Sequence, residues 1–352
     1  MIVVTKKYAA YVGTYTREKG VGIHVYDVDG YSLKEKNVVS VHNPTDLCVS
    51  ADGQYLYSIA DEGVVSFIIE EDGDLTYLNQ QWTGGMRGCF LTVDKANRFL
   101  FMAGNYDGTV TTLNLREDGS IGEVTDTIYH KGLNIAAAQR GSKPEVNCVC
   151  LTPDERYLCA VDSGLDQIHV YEIDYYHGKL IEGTIIRGHL DSAPCNLVFS
   201  QDYRFAYVLC ELKRCVDVYE VTRQEELPEF ELIQSVSTVE QEDGKYCSAS
   251  SFKLSANGKL MICSNSGSNS VAIFQVDQDC GALRDICNMK ISGNYPKTLG
   301  IYPDGEHFVT LNQESNEMVT FHLNQEGKYF LMDGKPVPVD NPNCILFCEL
   351  RS

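Results

Sequence analysis

Short apolar or alternating stretches recur along this chain, each bounded by turn residues, and they repeat as a unit. The unit begins NPTDLCVSADGQYLYSIADE from Asn43. It returns as GCFLTVDKANRFLFMAGNYDG from Gly88, VNCVCLTPDERYLCAVDSG from Val146 and CNLVFSQDYRFAYVLCEL from Cys195. Two later copies read SSFKLSANGKLMICSNSG from Ser250 and KTLGIYPDGEHFVTLNQE from Lys297. A third strand follows each copy at a matching offset: GVVSFII, GTVTTLNL, DQIHVYEI, RCVDVYEV, NSVAIFQV and EMVTFHL. Alternating or β-branched runs of this length pack as strands, face to face. The turns between them carry Asp52-Gly53, Asp72-Gly73, Asp118-Gly119, Asn257-Gly258 and Asp304-Gly305. These pairs accept the positive φ that tight hairpins impose.

A period of roughly 45 to 50 residues is the mark of a propeller or array. Six complete copies run from about Asn43 to Asn341, leaving two fragments. The N-terminal AAYVGTYT, GIHVYDVDG and SLKEKNVVS supply three strands, and the C-terminal NCILFCEL supplies one innermost strand. Together they complete a seventh blade and close the ring without an edge. The expected architecture is an all-β, seven-bladed propeller of four-stranded blades, a single domain over residues 1–352. Residues 133–142 and 225–244 read as polar excursions from the repeat.

Charge narrows the choice of partners. The 352 residues carry a formal net charge of −20, from 49 acidic against 29 basic side chains. Such a field repels nucleic acid and anionic membrane surfaces. No apolar run approaches the roughly 18 residues a spanning helix needs, and the N-terminal stretch is too short and polar for a secretory signal. The 14 cysteines are scattered through apolar strands without CxxC or Cys/His zinc spacing. They read as buried, reduced thiols in a soluble cytoplasmic protein. No metal, no cofactor and a monomeric state are expected, since a closed ring has no edge to cover.

Residues entering the first strand and leaving the second share one face near the axis, and their offsets define a candidate pocket. The split blade gives Thr14, Tyr15 and Asn343, and the next gives Thr45, Asp61 and Glu62. Then come Arg87, Cys89, Asn105 and Tyr106, followed by Glu145, Asn147, Asp162 and Ser163. The remaining blades give Cys195, Asn196, Glu211 and Lys213; Ser248, Ser250, Asn265 and Ser266; and Lys297, Asn312 and Gln313. A face so rich in Asn, Ser, Glu and Asp suits a polyol or sugar acid.

YVGTYT followed by GIHVYDVD, NPT, GNYDGTV, AVDSGLDQIHVY, CEL, SNSGSNSVAIF and GNYPKTLGIYPDG resemble the propeller-type 6-phosphogluconolactonase family over nearly the whole chain and in order. The resemblance implies a cytoplasmic hydrolase that opens a sugar-acid-type lactone without a metal; relatives include carboxymuconate lactonizing enzymes. It also exposes departures. Family histidines and arginines give way to Gly88-Cys89-Phe90, Pro144-Glu145-Val146-Asn147, Ala193-Pro194-Cys195-Asn196, Asn265-Ser266-Gly267-Ser268 and Pro296-Lys297. Asn105-Tyr106, Asp162 with Gly164 and Asp166, Glu211-Leu212 and Asn265 remain. His130 keeps the place of a family loop histidine, with Gln139-Arg140 after it.

Lactone hydrolysis needs a base for water and a cation or dipole for the oxyanion. Glu211 or Glu145 is the candidate base, and Lys297 or Arg87 the oxyanion partner. Arg87, Asn105, Tyr106, Asn147, Asp162, Asn196, Asn265 and Asn312 are the candidate substrate contacts. With so few cations left, an uncharged or weakly charged lactone suits this face better than a phosphorylated one. Two other chemistries compete: a nucleophilic Cys195 or Cys89, and a propeller that binds a ligand or protein without catalysis.

Overall fold

The structure is a computed structural model that describes residues 6–17, 19–132, 143–223, 227–240, 247–324 and 328–351. Seven antiparallel sheets of four sequential strands stand around a common axis, the last of them extended by a short fifth strand. Blade 1 is the split one. Strand Pro342–Glu349 lies innermost, followed outward by Tyr8–Thr14, Ile23–Asp29 and Ser32–Val39. Blade 2 runs Leu47–Val49, Tyr55–Ala60, Gly63–Ile69 and Leu75–Gln81; blade 3 runs Phe90–Val93, Phe99–Gly104, Thr109–Leu115 and Ile121–Tyr129. Blade 4 comprises Val146–Leu151, Tyr157–Asp162, Gln167–Asp174 and Lys179–Arg187. Blade 5 comprises Pro194–Phe199, Phe205–Cys210, Cys215–Arg223 and Pro228–Ser237. Blade 6 holds Ser248–Leu254, Leu260–Ser266, Ser270–Val276 and Leu283–Lys290. Blade 7 holds Pro296–Ile301, His307–Asn312, Glu317–Asn324 and Tyr329–Met332, with Val337–Pro338 added beside the third strand.

The predicted strands and the shared blade are all present. One expectation changes: within the supposed polar excursion 225–244 lies the outer strand of blade 5, Pro228–Ser237. Its sequence, PEFELIQSVS, buries only Pro228 fully and exposes alternate residues, so its apolar signal is weak. Outermost strands have only one covered face and need no continuous apolar run. The excursion 133–142, with Gln139-Arg140, lies outside the described residues.

The core is divided among the blade interfaces. Seven buried clusters each join two neighbouring sheets; Val170 and Tyr157 of blade 4, for example, pack with Phe199 and Val208 of blade 5. Second strands such as Tyr157–Asp162 and Phe205–Cys210 are buried along their whole length, because both of their faces meet another sheet. Tyrosines tie the blades together as well. Tyr11, Tyr57 and Tyr207 donate to the carbonyls of Gly73, Gly119 and Gly281 in the next blade. Gly119 has a φ of 78°, and a Cβ there would stand 2.2 Å from the Tyr55 ring, so the turn requires glycine twice over. Among the described residues no helix is long and apolar enough to cross a membrane.

Candidate active site

One irregularity repeated around the ring builds the site. In blade 4 Val146 pairs with Asp162 and Cys148 with Val161, leaving Asn147 as an extra residue. The same shift leaves Cys195 extra in blade 5, Ser250 in blade 6, Lys297 in blade 7 and Asn343 in blade 1. In blade 3 the Cys89 N–H bonds the Ala103 carbonyl while Phe90 is the register partner of Ala103, so two residues again oppose one. A bulge re-aims the side chain it carries. All six of these residues, with Thr45 of blade 2, line a single cavity of about 260 Å³ at the axis.

Glu211, Asn147, Asn196 and Lys297 of the predicted set line that cavity. Glu211 follows the second strand of blade 5. Burial raises its pKa above the ordinary carboxylate range, with a smaller push from Glu145; the Lys297 charge and a hydrogen bond with Ser248 oppose the shift. The Lys297 ammonium has no hydrogen-bond or ion-pair partner among the described residues, which leaves it available to a ligand. Asn147 is fixed between neighbours, accepting from Asn105 Nδ2 at 2.5 Å and donating to Ser163 Oγ at 2.6 Å. Asn105 therefore supports a cavity residue without lining the cavity. Asn196 Oδ1 accepts the backbone N–H of Leu197 at 2.8 Å.

Other predicted residues stand at the rim. The Arg87 guanidinium pairs with Asp61 at 2.9 Å and lies 5.8 Å from the ring centres of both Tyr15 and Tyr106. Its charge is thus already met by a carboxylate and two aromatic faces. Tyr106 is 43% exposed. Glu145 does not line the cavity and reaches Glu211 only through its charge.

Three predicted contacts need correction. Asp162, Asn265 and Asn312 are completely buried and do not reach the cavity. Each is the register partner of the residue that begins the third strand, and each grips an adjoining loop. Asp162 accepts from His130 Nδ1 at 2.8 Å and from the N–H groups of Glu145 and Leu165, both at 3.0 Å. Asn265 exchanges hydrogen bonds with Thr238, side chain to side chain and side chain to carbonyl, both at 2.7 Å. Asn312 donates to the Ser292 carbonyl at 3.2 Å. His130 is likewise a structural group, buried between Asp162 and the Tyr171 hydroxyl, its ring centre 3.9 Å from that of His169 and tilted against it.

The sequence reading missed Asp46, Lys253 and Tyr295, which also line the cavity. Asp46 Oδ2 accepts the Leu91 N–H at 2.7 Å, bridging the inner strands of blades 2 and 3. Burial pushes the Asp46 pKa up to about 7, against the pull of that N–H and of Lys253. Both candidate nucleophilic thiols stay protonated near neutral pH: burial pushes Cys89 to about 12 and Cys195 well above its ordinary value. Neither has a histidine lining the cavity beside it, so the nucleophilic-cysteine reading loses its activation. The groups His130/Asp162/His169 and Cys210/Cys215/Asp217 bring three potential metal ligands together, both outside this cavity.

The family Lactonase, 7-bladed beta-propeller, matches residues 9–347. The chain belongs to this lactonase family. A 6-phosphogluconolactonase of Bacillus subtilis (strain 168) is 29% identical over 97% of this chain and 98% of its own. Among solved structures, a putative 6-phosphogluconolactonase from Bacteroides fragilis superposes with a TM-score of 0.88 at 27% identity, covering 99% of each chain. A periplasmic gluconolactonase of Pseudomonas aeruginosa gives a TM-score of 0.89 at 25% identity, over 98% of this chain and 100% of that one. In this lactonase the axial cavity is bounded by bulge residues from every blade in which the register shift occurs.

Proposed function

We propose that this lactonase opens a sugar-acid-type lactone in the axial cavity, with Glu211 as general base and Lys297 as oxyanion partner. The observation that carries this reading is the pairing, in one polar cavity, of a carboxylate with a raised pKa and an unengaged ammonium. Burial makes Glu211 a stronger base than a solvated carboxylate, while the Lys297 charge keeps part of it ionised. Glu211 takes a proton from water as the oxygen attacks the lactone carbonyl. The oxyanion so formed faces Lys297. The ring C–O bond then breaks, and Glu211 returns the proton to the departing alkoxide. Water is consumed and a hydroxy acid is formed.

The cavity favours a lactone of low charge. Arg87 is held by Asp61, Lys253 faces Asp46, and Glu145 adds negative charge near the mouth. Among the described residues that line the cavity, a phosphoryl dianion would find Lys297 as the one unpaired cation. The relatives bear names of both kinds, one for a phosphorylated lactone and another for gluconolactone. A second assignment of the base rests on Asp46, whose pKa of about 7 is also suited to proton transfer. Its grip on the Leu91 N–H leaves it one oxygen for a substrate. The fourteen unpaired thiols support a reducing, cytoplasmic setting, and the closed ring supports a monomer.

The test is pH-stat hydrolysis of gluconolactone, 6-phosphogluconolactone and a muconolactone by the purified protein and by Glu211→Gln. Turnover of the unphosphorylated lactone that collapses in the variant supports the reading. Equal turnover by the variant would reassign the base, with Asp46→Asn as the next variant. No turnover on any lactone would overturn the reading in favour of a ligand-binding propeller.

A further inference from the structure

We propose that Cys210, Cys215 and Asp217 form a binding site for a thiophilic divalent cation of the zinc type, built into the hairpin that carries Glu211. The three residues come together through strand register. Cys210 ends the second strand of blade 5, Cys215 opens the third directly opposite, and Asp217 lies two residues further on the same face. One ligand atom from each lies within 4.8 Å of the others, and all three residues are buried.

Blade 5 departs from an arrangement that blades 4, 6 and 7 share. In blades 4, 6 and 7 the position of Cys210 is held by Asp162, Asn265 and Asn312, each bonded to an adjoining loop. In blade 5 the two thiols turn instead onto the carboxylate. Asp217 is 1% exposed, and its only side-chain partners among the described residues are these thiols. A buried carboxylate ordinarily has a cation or several N–H donors. This one has two weak S–H donors, and a metal ion would supply the missing positive charge.

The spacing fits. Tetrahedral zinc, with bonds of about 2.3 Å to sulfur and about 2.1 Å to oxygen, separates a sulfur from an oxygen ligand by about 3.6 Å. Cys210 Sγ lies 3.5 Å from Asp217 Oδ2 and Cys215 Sγ lies 3.7 Å from the other oxygen, Oδ1, so each sulfur stands at that spacing from one carboxylate oxygen, and a single oxygen and both sulfurs lie within 4.8 Å of one another. Ser235, opposite Asp217 in register, is placed to complete the shell with its hydroxyl or with a water it holds. Two sulfurs select zinc or cadmium over magnesium or calcium. On binding, two metal–sulfur bonds and one metal–oxygen bond form and both thiol protons leave to solvent, with no change of oxidation state. The ion would pin the two ends of the hairpin whose first loop residue is Glu211.

The experiment titrates the intact chain, reduced and freed of metal by chelator dialysis, with cadmium, and follows the ultraviolet thiolate-to-metal charge-transfer band and the protons released. One ion per chain with about two protons is expected. Cys210→Ser and Asp217→Asn should each weaken binding at least about tenfold, whereas Cys280→Ser, at an exposed thiol, should leave it unchanged. Absence of the band in the unmodified chain, or equal affinity in both site variants, would overturn the proposal. Should Cys210→Ser fail to fold, Asp217→Asn retains both thiols and decides alone. The readout involves no lactone, so it stands or falls separately from the hydrolase reading.

Discussion

Two rings of polar side chains lie one residue apart at the ends of the second strands. Asp162, Asn265 and Asn312 turn into the blade interfaces and bind adjoining loops. In blades 4 and 6 the next residue, Ser163 or Ser266, turns back to hold a bulge residue, while Glu211 at the same place in blade 5 reaches the cavity. Both rings are Asp, Asn, Ser and Glu, so composition does not separate them. Parity along the strand does: a side chain on one face of a pleat grips a loop, and its neighbour lines the cavity or holds a residue that does. Removing a residue from the first ring should damage stability, and removing one from the second should damage turnover.

The largest separation is expected at Glu211 and Lys297. Glu211→Gln should lower kcat for the preferred lactone by at least about 100-fold, and Lys297→Met by about 100-fold, with melting temperatures unchanged. Parallel losses of melting temperature would place both residues with the structural ring. Next in size, Asp162→Ala strands the His130 imidazole and two backbone N–H groups. It should cost on the order of 3 kcal/mol in denaturant unfolding, while the folded fraction keeps its kcat. Asn265→Ala removes two hydrogen bonds to Thr238, whose carbonyl keeps Asn288 Nδ2 and whose hydroxyl keeps the Arg214 carbonyl, and should cost about 1–2 kcal/mol.

A pH series sharpens the same contrast. Burial chiefly, and the neighbouring His130, lower the His169 pKa from 6.5 to about 4. Between those values the unfolded chain binds the proton that the folded chain refuses. Stability is therefore complete above about pH 6.5 and declines as pH falls toward 4, by up to about 3 kcal/mol. His169→Asn should flatten that acid limb in pH-dependent unfolding, and an unchanged slope would assign it to another group. The smallest effect is expected for Asn147→Ala, a few-fold rise in KM with kcat and stability nearly intact.

Most of the fold was readable because the repeat is carried by apolar strands and Asp-Gly or Asn-Gly turns, which act locally. The bulge ring was readable as well: offsets at the start of each first strand picked out Asn343, Thr45, Cys89, Asn147, Cys195, Ser250 and Lys297, all of which line the cavity. At the ends of the second strands both residues of each pair were candidates, Asp162 with Ser163, Asn265 with Ser266 and Asn312 with Gln313, and none of the six lines the cavity. An inserted residue in the facing strand shifts the pairing there, and a single residue reverses the face. Asp46 and Lys253 escaped notice because they lie inside or beside inner strands, where the expected chemistry sat at strand ends. The Cys210/Cys215/Asp217 cluster has no spacing signature, since its members meet across a hairpin.

The blade built from both ends of the chain also bears on how the ring is made. Residues Tyr8–Thr14 cannot gain their inner neighbour until Pro342–Glu349 has been synthesised. While the ribosome is still at work, blades 2 to 6 can form and stack in order, but the first sheet carries an open inner edge and blade 7 an uncovered face. That interval exposes strand surface to unwanted pairing. The final closing step joins the most distant parts of the chain, so it should be slow and act as the gate to the finished ring.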